Sequence, residues 1–249
     1  MTAYGDSYFK EDIFSTDYPI LAKNIVSIYQ PKRVIEVGCG PGHLTRSLAK
    51  LNLEVTAIDG FSTPDFSDYP KINFTKVDLN NSTEMKAFLD QQLTFDLAIC
   101  TEVAEHLLPE SSAHLVGFLT ALAPIIIFSA AVPNQGGNGH INCRSRGFWH
   151  ELFAAQGYRV RDSLRETLRS SENLAVWYKL NILDYVKEDQ QHGNDGYLKI
   201  IDRLIASESH AAELFYHQST ETNKLAQYLK YPGVKQYFGI RNQLKKLFR

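Results

Sequence analysis

The apolar residues of this chain fall into short continuous runs that alternate with stretches of helical spacing. Residues 32–37 (KRVIEV) form a β-branched run ending in glycines, the pattern of a buried strand. Leu44, Leu48 and Leu51 follow at helical spacing, and Pro41 suits the first turn, where a missing N–H costs nothing. Residues 54–58 (EVTAI), 72–77 (INFTKV), 95–100 (FDLAIC) and 124–131 (PIIIFSAA) repeat the strand pattern. Helices are predicted over 82–93, with Asn81 and Glu84 spaced as a capping box, and over 109–122. A polar, glycine-rich loop at 133–146 leads into a helix at 147–156, stopped by Gly157. Residues 158–167 and 174–186 read as two more strands, which makes seven.

Strands that are apolar throughout, with helices between them, belong to a parallel sheet covered on both faces. The expected fold is therefore α/β, a doubly wound, mainly parallel seven-stranded sheet of Rossmann-like type. Residues 1–30 are expected to form an N-terminal helical cap, with a helix near 20–29. Residues 31–190 form the ligand-binding domain, and residues 191–249 a helical C-terminal extension. In such folds ligands sit beyond the carboxyl ends of the strands, so the residues after each strand carry the information.

With 249 residues, 44% of them hydrophobic, the chain can bury a core without disulfides or metal. Its net charge of −2 excludes a polyelectrolyte binder, and no nucleic-acid partner is expected. Three cysteines without paired spacing point to a reducing, cytoplasmic setting. The first residues, MTAYGDSYFKEDIF, lack the basic and apolar regions of a signal peptide. The longest apolar run, 119–133, is too short to span a bilayer and contains Pro124.

The first strand runs into VIEVGCGPG, residues 34–42, with glycines at 38, 40 and 42. Small residues let the backbone approach a ligand, and a helix N-terminus behind them offers N–H groups. Asp59 closes the second strand, 21 residues after Gly38, where a carboxylate can accept ribose hydroxyls. A nicotinamide or flavin fingerprint would require glycine or alanine at position 43, and this chain has His43. No phosphate-binding G-K-[ST] sequence follows the loop.

Taken with Asp78 after the third strand and FDLAICTEVAEHL after the fourth, this region resembles the class I S-adenosylmethionine (SAM)-dependent methyltransferases over about residues 30–186. The resemblance implies SAM as cofactor and S-adenosylhomocysteine (SAH) as product. It places Glu36 and the loop Gly38, Cys39, Gly40 and Gly42 at the methionine end of SAM. It places Asp59 on the ribose, Gly60 and Phe61 along the adenine, Asp78 and Leu79 at the adenine amino group and ring, and Thr101 and Glu102 on the sulfonium side. The stretch GGNGHINCRSRGFWHELFAAQGY and the later ENLAVWYKLNILDYVKED resemble glycan and small-molecule methyltransferases of surface-polysaccharide type, the second as a final strand. That suggests O-methylation of a sugar or another small molecule.

A hydroxyl acceptor calls for a general base near neutral pKa, and histidine fits best. His140, in the loop after the fifth strand, is the first candidate and His106 the second. The remaining histidines read as surface or packing residues. Tyr4, Tyr8 and Phe9, with Glu105, His140 and Asn142, are expected around the acceptor. Glu102, Glu105, His106 and His140 are metal-ligand types, but without tight spacing no metal is expected. After Glu221 the chain carries seven Lys or Arg and no acid, interleaved with apolar residues. Such a tail suits packing on the domain, or a membrane surface or anionic substrate. The alternative function is a non-catalytic subunit of the same fold that docks a partner through this basic helix.

Overall fold

A computed structural model describes residues 16–188. The strands are β1 (Arg33–Val37), β2 (Glu54–Asp59), β3 (Ile72–Lys76), β4 (Leu97–Thr101), β5 (Ile125–Ser129), β6 (Tyr158–Val160) and β7 (Leu183–Lys187). They form one sheet in the order β3-β2-β1-β4-β5-β7-β6. The first five strands are parallel, and β7 runs antiparallel to both β5 and β6. The chain winds outward from β1 to β3, then returns to β4 on the other side of β1. That reversal opens a crevice between the carboxyl ends of β1 and β4.

Helices cover both faces. Met85 and Phe88 of α3 (Ser82–Leu89), Leu115 to Leu122 of α4 (Ser112–Leu122), and Trp149 and Phe153 of α5 (Arg146–Ala155) build one core layer. On the other face lie Leu21 and Ile25 of α1 (Tyr18–Tyr29) and Leu44 and Leu48 of α2 (His43–Ala49). Leu168 of α6 (Arg165–Leu168) and Tyr178 of α7 (Val176–Asn181) complete that layer. Strands β1 and β4 serve both layers, which is why Val34, Ile35 and Val37 of β1 and residues 97–100 of β4 are apolar on both faces. Asn81 caps α3 as expected, its carboxamide oxygen accepting the Thr83 and Glu84 N–H groups. The reciprocal bond differs: Glu84 takes the Asn81 side-chain amide and the Asp78 N–H, while the Asn81 backbone N–H goes to the Asp78 carbonyl.

Two predicted elements differ. The run 174–186 is not one strand: WYKLN is helical in α7, and only Leu183–Lys187 is extended. Tyr178 and Asn181 lie three apart and are both buried, so they share one helix face. The strand expected over 158–167 stops at Val160. Asp162 takes a left-handed backbone (φ +45°), and its carboxylate receives the Arg165 Nε at 2.6 Å, turning the chain into α6. The region of Tyr4, Tyr8 and Phe9 and the basic tail lie outside the described residues. Among the described residues no helix is long and apolar enough to cross a membrane.

Candidate functional site

A cavity of about 320 Å³ opens in the crevice beyond β1, β2 and β4. The glycine loop after β1 forms its floor. Gly38, Gly40 and Gly42 all have positive φ, a conformation that side chains resist. At Gly38 a Cβ would also overlap the Val103 side chain, so the loop after β4 packs directly on glycine. The loop N–H groups are already used. Those of Gly38 and Cys39 reach the Ile58 carbonyl, that of Gly40 the Asp59 carboxylate, and that of Gly42 the Cys39 carbonyl. The glycines therefore serve close backbone approach rather than donating to a ligand.

Asp59 is buried at the end of β2. One carboxylate oxygen accepts Gly40 N–H at 2.8 Å, and the other accepts Phe61 and Ser62 N–H at 2.8 and 2.6 Å. Three of roughly four lone-pair positions are thus filled, and a diol would take the last and share Oδ2 with Gly40. Glu36 lies beneath, hydrogen-bonded by the Thr45 hydroxyl. Burial pushes its pKa up to about 8, Thr45 pulls it back, and the Asp59 charge adds to the rise.

The far wall comes from the segment after β4. Glu102 holds a left-handed backbone (φ +55°), fixed by its N–H to the Ser129 carbonyl and hydroxyl oxygens at 3.0 and 3.1 Å. Its carboxylate faces the Gln135 and Asn181 amides at 3.3 and 3.4 Å, and burial raises its pKa. Ala104, Glu105 and His106 form a 3₁₀ turn. Burial first, then the Glu102 charge, raises the Glu105 carboxyl well above the usual range. The His106 and His140 rings meet edge-on, with centroids 4.9 Å apart. Burial, with the facing His140, lowers His106 to about 4, and burial lowers His140.

Four carboxyl groups line the cavity, those of Glu36, Asp59, Glu102 and Glu105, with no lysine or arginine among the described lining residues. Such a wall suits a cation and repels a pyrophosphate. Residues 35–124 match a family model described as a methyltransferase domain. The seven-stranded, mostly parallel sheet with its flanking helices matches the Rossmann-like methyltransferase fold. Over residues 35–124 the chain resembles a methyltransferase domain, and its fold is that of solved SAM-dependent methyltransferases.

Its curated relatives include ubiquinone biosynthesis O-methyltransferases. The protein of Colwellia psychrerythraea is 35% identical over 106 residues, covering 39% of this chain and 41% of that protein. The protein of Pasteurella multocida is 33% identical over 112 residues, covering 39% and 46%. The matched region thus spans less than half the length of either relative. Among solved structures, magnesium protoporphyrin IX methyltransferase of Synechocystis with bound SAH aligns at TM-score 0.53. It is 18% identical, over 75% of this chain and 91% of that one. The Burkholderia thailandensis 1,6-didemethyltoxoflavin-N1-methyltransferase aligns at 0.51 and 20% identity, over 74% and 82%.

Of the methyltransferase residues expected from sequence, Glu36, Gly38, Cys39, Gly40, Asp59, Gly60, Phe61, Leu79, Thr101 and Glu102 line the cavity, as do Glu105, His106 and His140. Gly42 sits behind it as the N-cap of α2. Asp78 is not on the wall; its carboxylate accepts the Asn80 N–H at 2.9 Å and shapes the turn after β3. Asn142, expected at the acceptor, is buried away from the cavity. Its amide donates to the Ala104 carbonyl (3.2 Å) and Ser112 hydroxyl (2.9 Å), and its carbonyl oxygen accepts Arg144 Nε (2.9 Å).

Sequence reasoning missed Tyr18, His43, Gln135, Trp177 and Tyr178 on the wall. His43 is not a bystander: it stacks on Tyr18 at 5.3 Å. Its place at the exit of a glycine loop was the available signal. Tyr18 and Tyr178 come from distant segments that no local pattern joins.

Proposed function

We propose that the protein transfers a methyl group from SAM to a hydroxyl of a sugar or another small molecule, releasing SAH. The carrying observation is the cavity at the switch point of the sheet, lined by four carboxyl groups with no lysine or arginine among the described lining residues. SAM is cationic at sulfur and at its ammonium group, and this wall complements both. Glu36 and the 38–42 loop would hold the methionine end, Asp59 the ribose, Phe61 and Leu79 the adenine, and Thr101 and Glu102 the sulfonium side. The O-methyltransferase names of the curated relatives support oxygen as the accepting atom. The sugar rests on the glycine-histidine-asparagine loop at 137–142.

Displacement at a sulfonium methyl needs alignment above all. The chain supplies it by burying the cofactor half against β1 and β2 and presenting His106 and His140 to the acceptor half. With pKa values below the ordinary 6.5, both imidazoles are neutral near pH 7 and bring lone pairs to an acceptor hydroxyl. We place the activity in the cytoplasm, in keeping with three free cysteines. The basic tail stays a sequence-based proposal for contact with an anionic surface.

Calorimetry with SAH on the full chain tests the cofactor half. Binding should weaken by about 10- to 100-fold in Asp59→Asn, the loss expected for hydrogen bonds to a charged group. No SAH binding by the parent protein would sink the reading. Binding without methyl turnover over a panel of sugars and phenols would favour the non-catalytic subunit.

A further inference from the structure

Glu105, His106 and His140 each offer one ligand atom, and these atoms lie within 4.8 Å of one another. Two come from the 3₁₀ turn after β4, and the third from the loop after β5. The backbone laces these segments together. The Ile141 and Asn142 N–H groups both donate to the Glu105 carbonyl at 2.9 Å, and the Asn142 amide donates to the Ala104 carbonyl. The His106 Nδ1 lies 3.4 Å from the Gly139 carbonyl, and the His140 Nδ1 lies 3.4 Å from that of Gln135. A Cβ at Gly137 would overlap the His140 ring, so glycine is what leaves room for it.

Glu105 supplies a second, independent observation. It is fully buried and lines the cavity, yet neither carboxylate oxygen has a hydrogen-bond partner. The Ala131 backbone and the Glu102 carboxyl are its polar neighbours, outside hydrogen-bonding geometry. Buried carboxylates without donors are costly, and pairing with a cation offsets that cost.

We propose that Glu105, His106 and His140 bind one first-row divalent transition-metal cation at the acceptor end of the cavity. Two imidazoles and one carboxylate suit Mn, Co or Zn better than Mg or Ca, which prefer oxygen. Ligand atoms about 2.0–2.2 Å from one ion lie roughly 3–4 Å apart, so side-chain rotation closes the cluster. Three protein ligands leave open positions, and an acceptor hydroxyl oxygen would fill one. The occupancy of the site stands on its own; its use in methyl transfer rests on the function proposed above. There the hydroxyl proton passes to water and the oxygen pair forms the O–C bond. The C–S pair returns to sulfur, and SAH leaves.

The test is a titration of the chelator-stripped full chain with Co²⁺, read by visible d–d absorption, with SAH calorimetry on the same samples. One equivalent should bind to the parent protein. Affinity should fall at least about 100-fold in His140→Ala and in Glu105→Gln, and stay unchanged in His114→Ala, exposed on α4. SAH affinity should persist in His140→Ala, which shows that a lost cation is not a lost fold. Absent Co²⁺ binding, or equal binding by the parent and His140→Ala, would overturn the site. Methyl transfer that survives chelation would overturn its catalytic use and return the histidines to direct base duty. Intact Co²⁺ binding without SAH binding would sink the cofactor reading and leave the cation site standing.

Discussion

The Glu36 carboxyl keeps its proton well above pH 4.5 because it is buried and Asp59 repels a second charge. Its contribution to stability is full below that ordinary pKa and is lost as pH rises through about 8. Glu36→Gln should therefore flatten the decline in stability between about pH 5 and 8 in urea titrations. A cation in the cavity acts the other way and draws the carboxyl toward its charged form. SAM binding near pH 7 should thus release up to one proton, measured by calorimetry in buffers of different ionisation enthalpy. Glu36→Gln should bind without that release. An unchanged proton count in the variant would remove Glu36 from the cofactor's surroundings.

Between elements, the approach of the loops after β1 and β4 depends on a residue without a side chain. Gly38 lets the loop after β1 meet Val103 after β4, which brings Glu102 and Glu105 to the same cavity as the glycine loop. Gly38→Ala would have to hold φ +79° and displace Val103, at a cost of about 1–3 kcal/mol. SAH affinity should fall by more than tenfold, while far-UV circular dichroism keeps the α/β signature. Asn142 ties the loop after β5 to the 3₁₀ turn, so Asn142→Ala should lower stability by about 1–3 kcal/mol. It should also weaken Co²⁺ binding, although the asparagine is not itself a ligand, because it fixes the two segments that carry the ligands. An unchanged cobalt spectrum would make the asparagine purely structural. The five parallel strands and the glycine loop at the cavity were legible in sequence because both are continuous signals: apolar runs, then glycines, then an acid. Helix α7 was not, since six residues are too few to show a period and its aromatic residues also suit a strand. Nor was the role of Asn142, because a polar residue in a polar loop carries no mark of burial.

At the scale of the molecule, the order of the sheet separates what binds from what supports. The cavity draws on β1, β2 and β4, on loops, and on Tyr18 and Tyr178 from the two ends of the described chain. Those ends are joined: the Thr16 hydroxyl accepts the Ala175 N–H at 2.7 Å, and the Asp17 N–H reaches the Asn173 carbonyl at 3.1 Å. Such pairings, more than 150 residues apart in sequence, leave no local trace, which is why the aromatic wall went unforeseen. Support is concentrated at the antiparallel edge. Asp184 of β7 is fully buried and accepts Arg161 Nε at 3.1 Å and Ser163 N–H at 2.6 Å. The Arg161 guanidinium also lies over the Tyr29 ring at the end of α1, 5.5 Å from its centroid. Removing the arginine strands a buried carboxylate with one N–H donor, whereas Asp184→Asn removes the charge and keeps the shape. Arg161→Met should therefore cost about 3 kcal/mol in urea unfolding and Asp184→Asn only about 1. Neither residue lines the cavity, so SAH affinity per folded molecule should be unchanged in both. A larger loss in Asp184→Asn would mean that shape at this edge matters more than the stranded charge. Weakened SAH binding would mean that the edge and the cofactor site are coupled through the sheet.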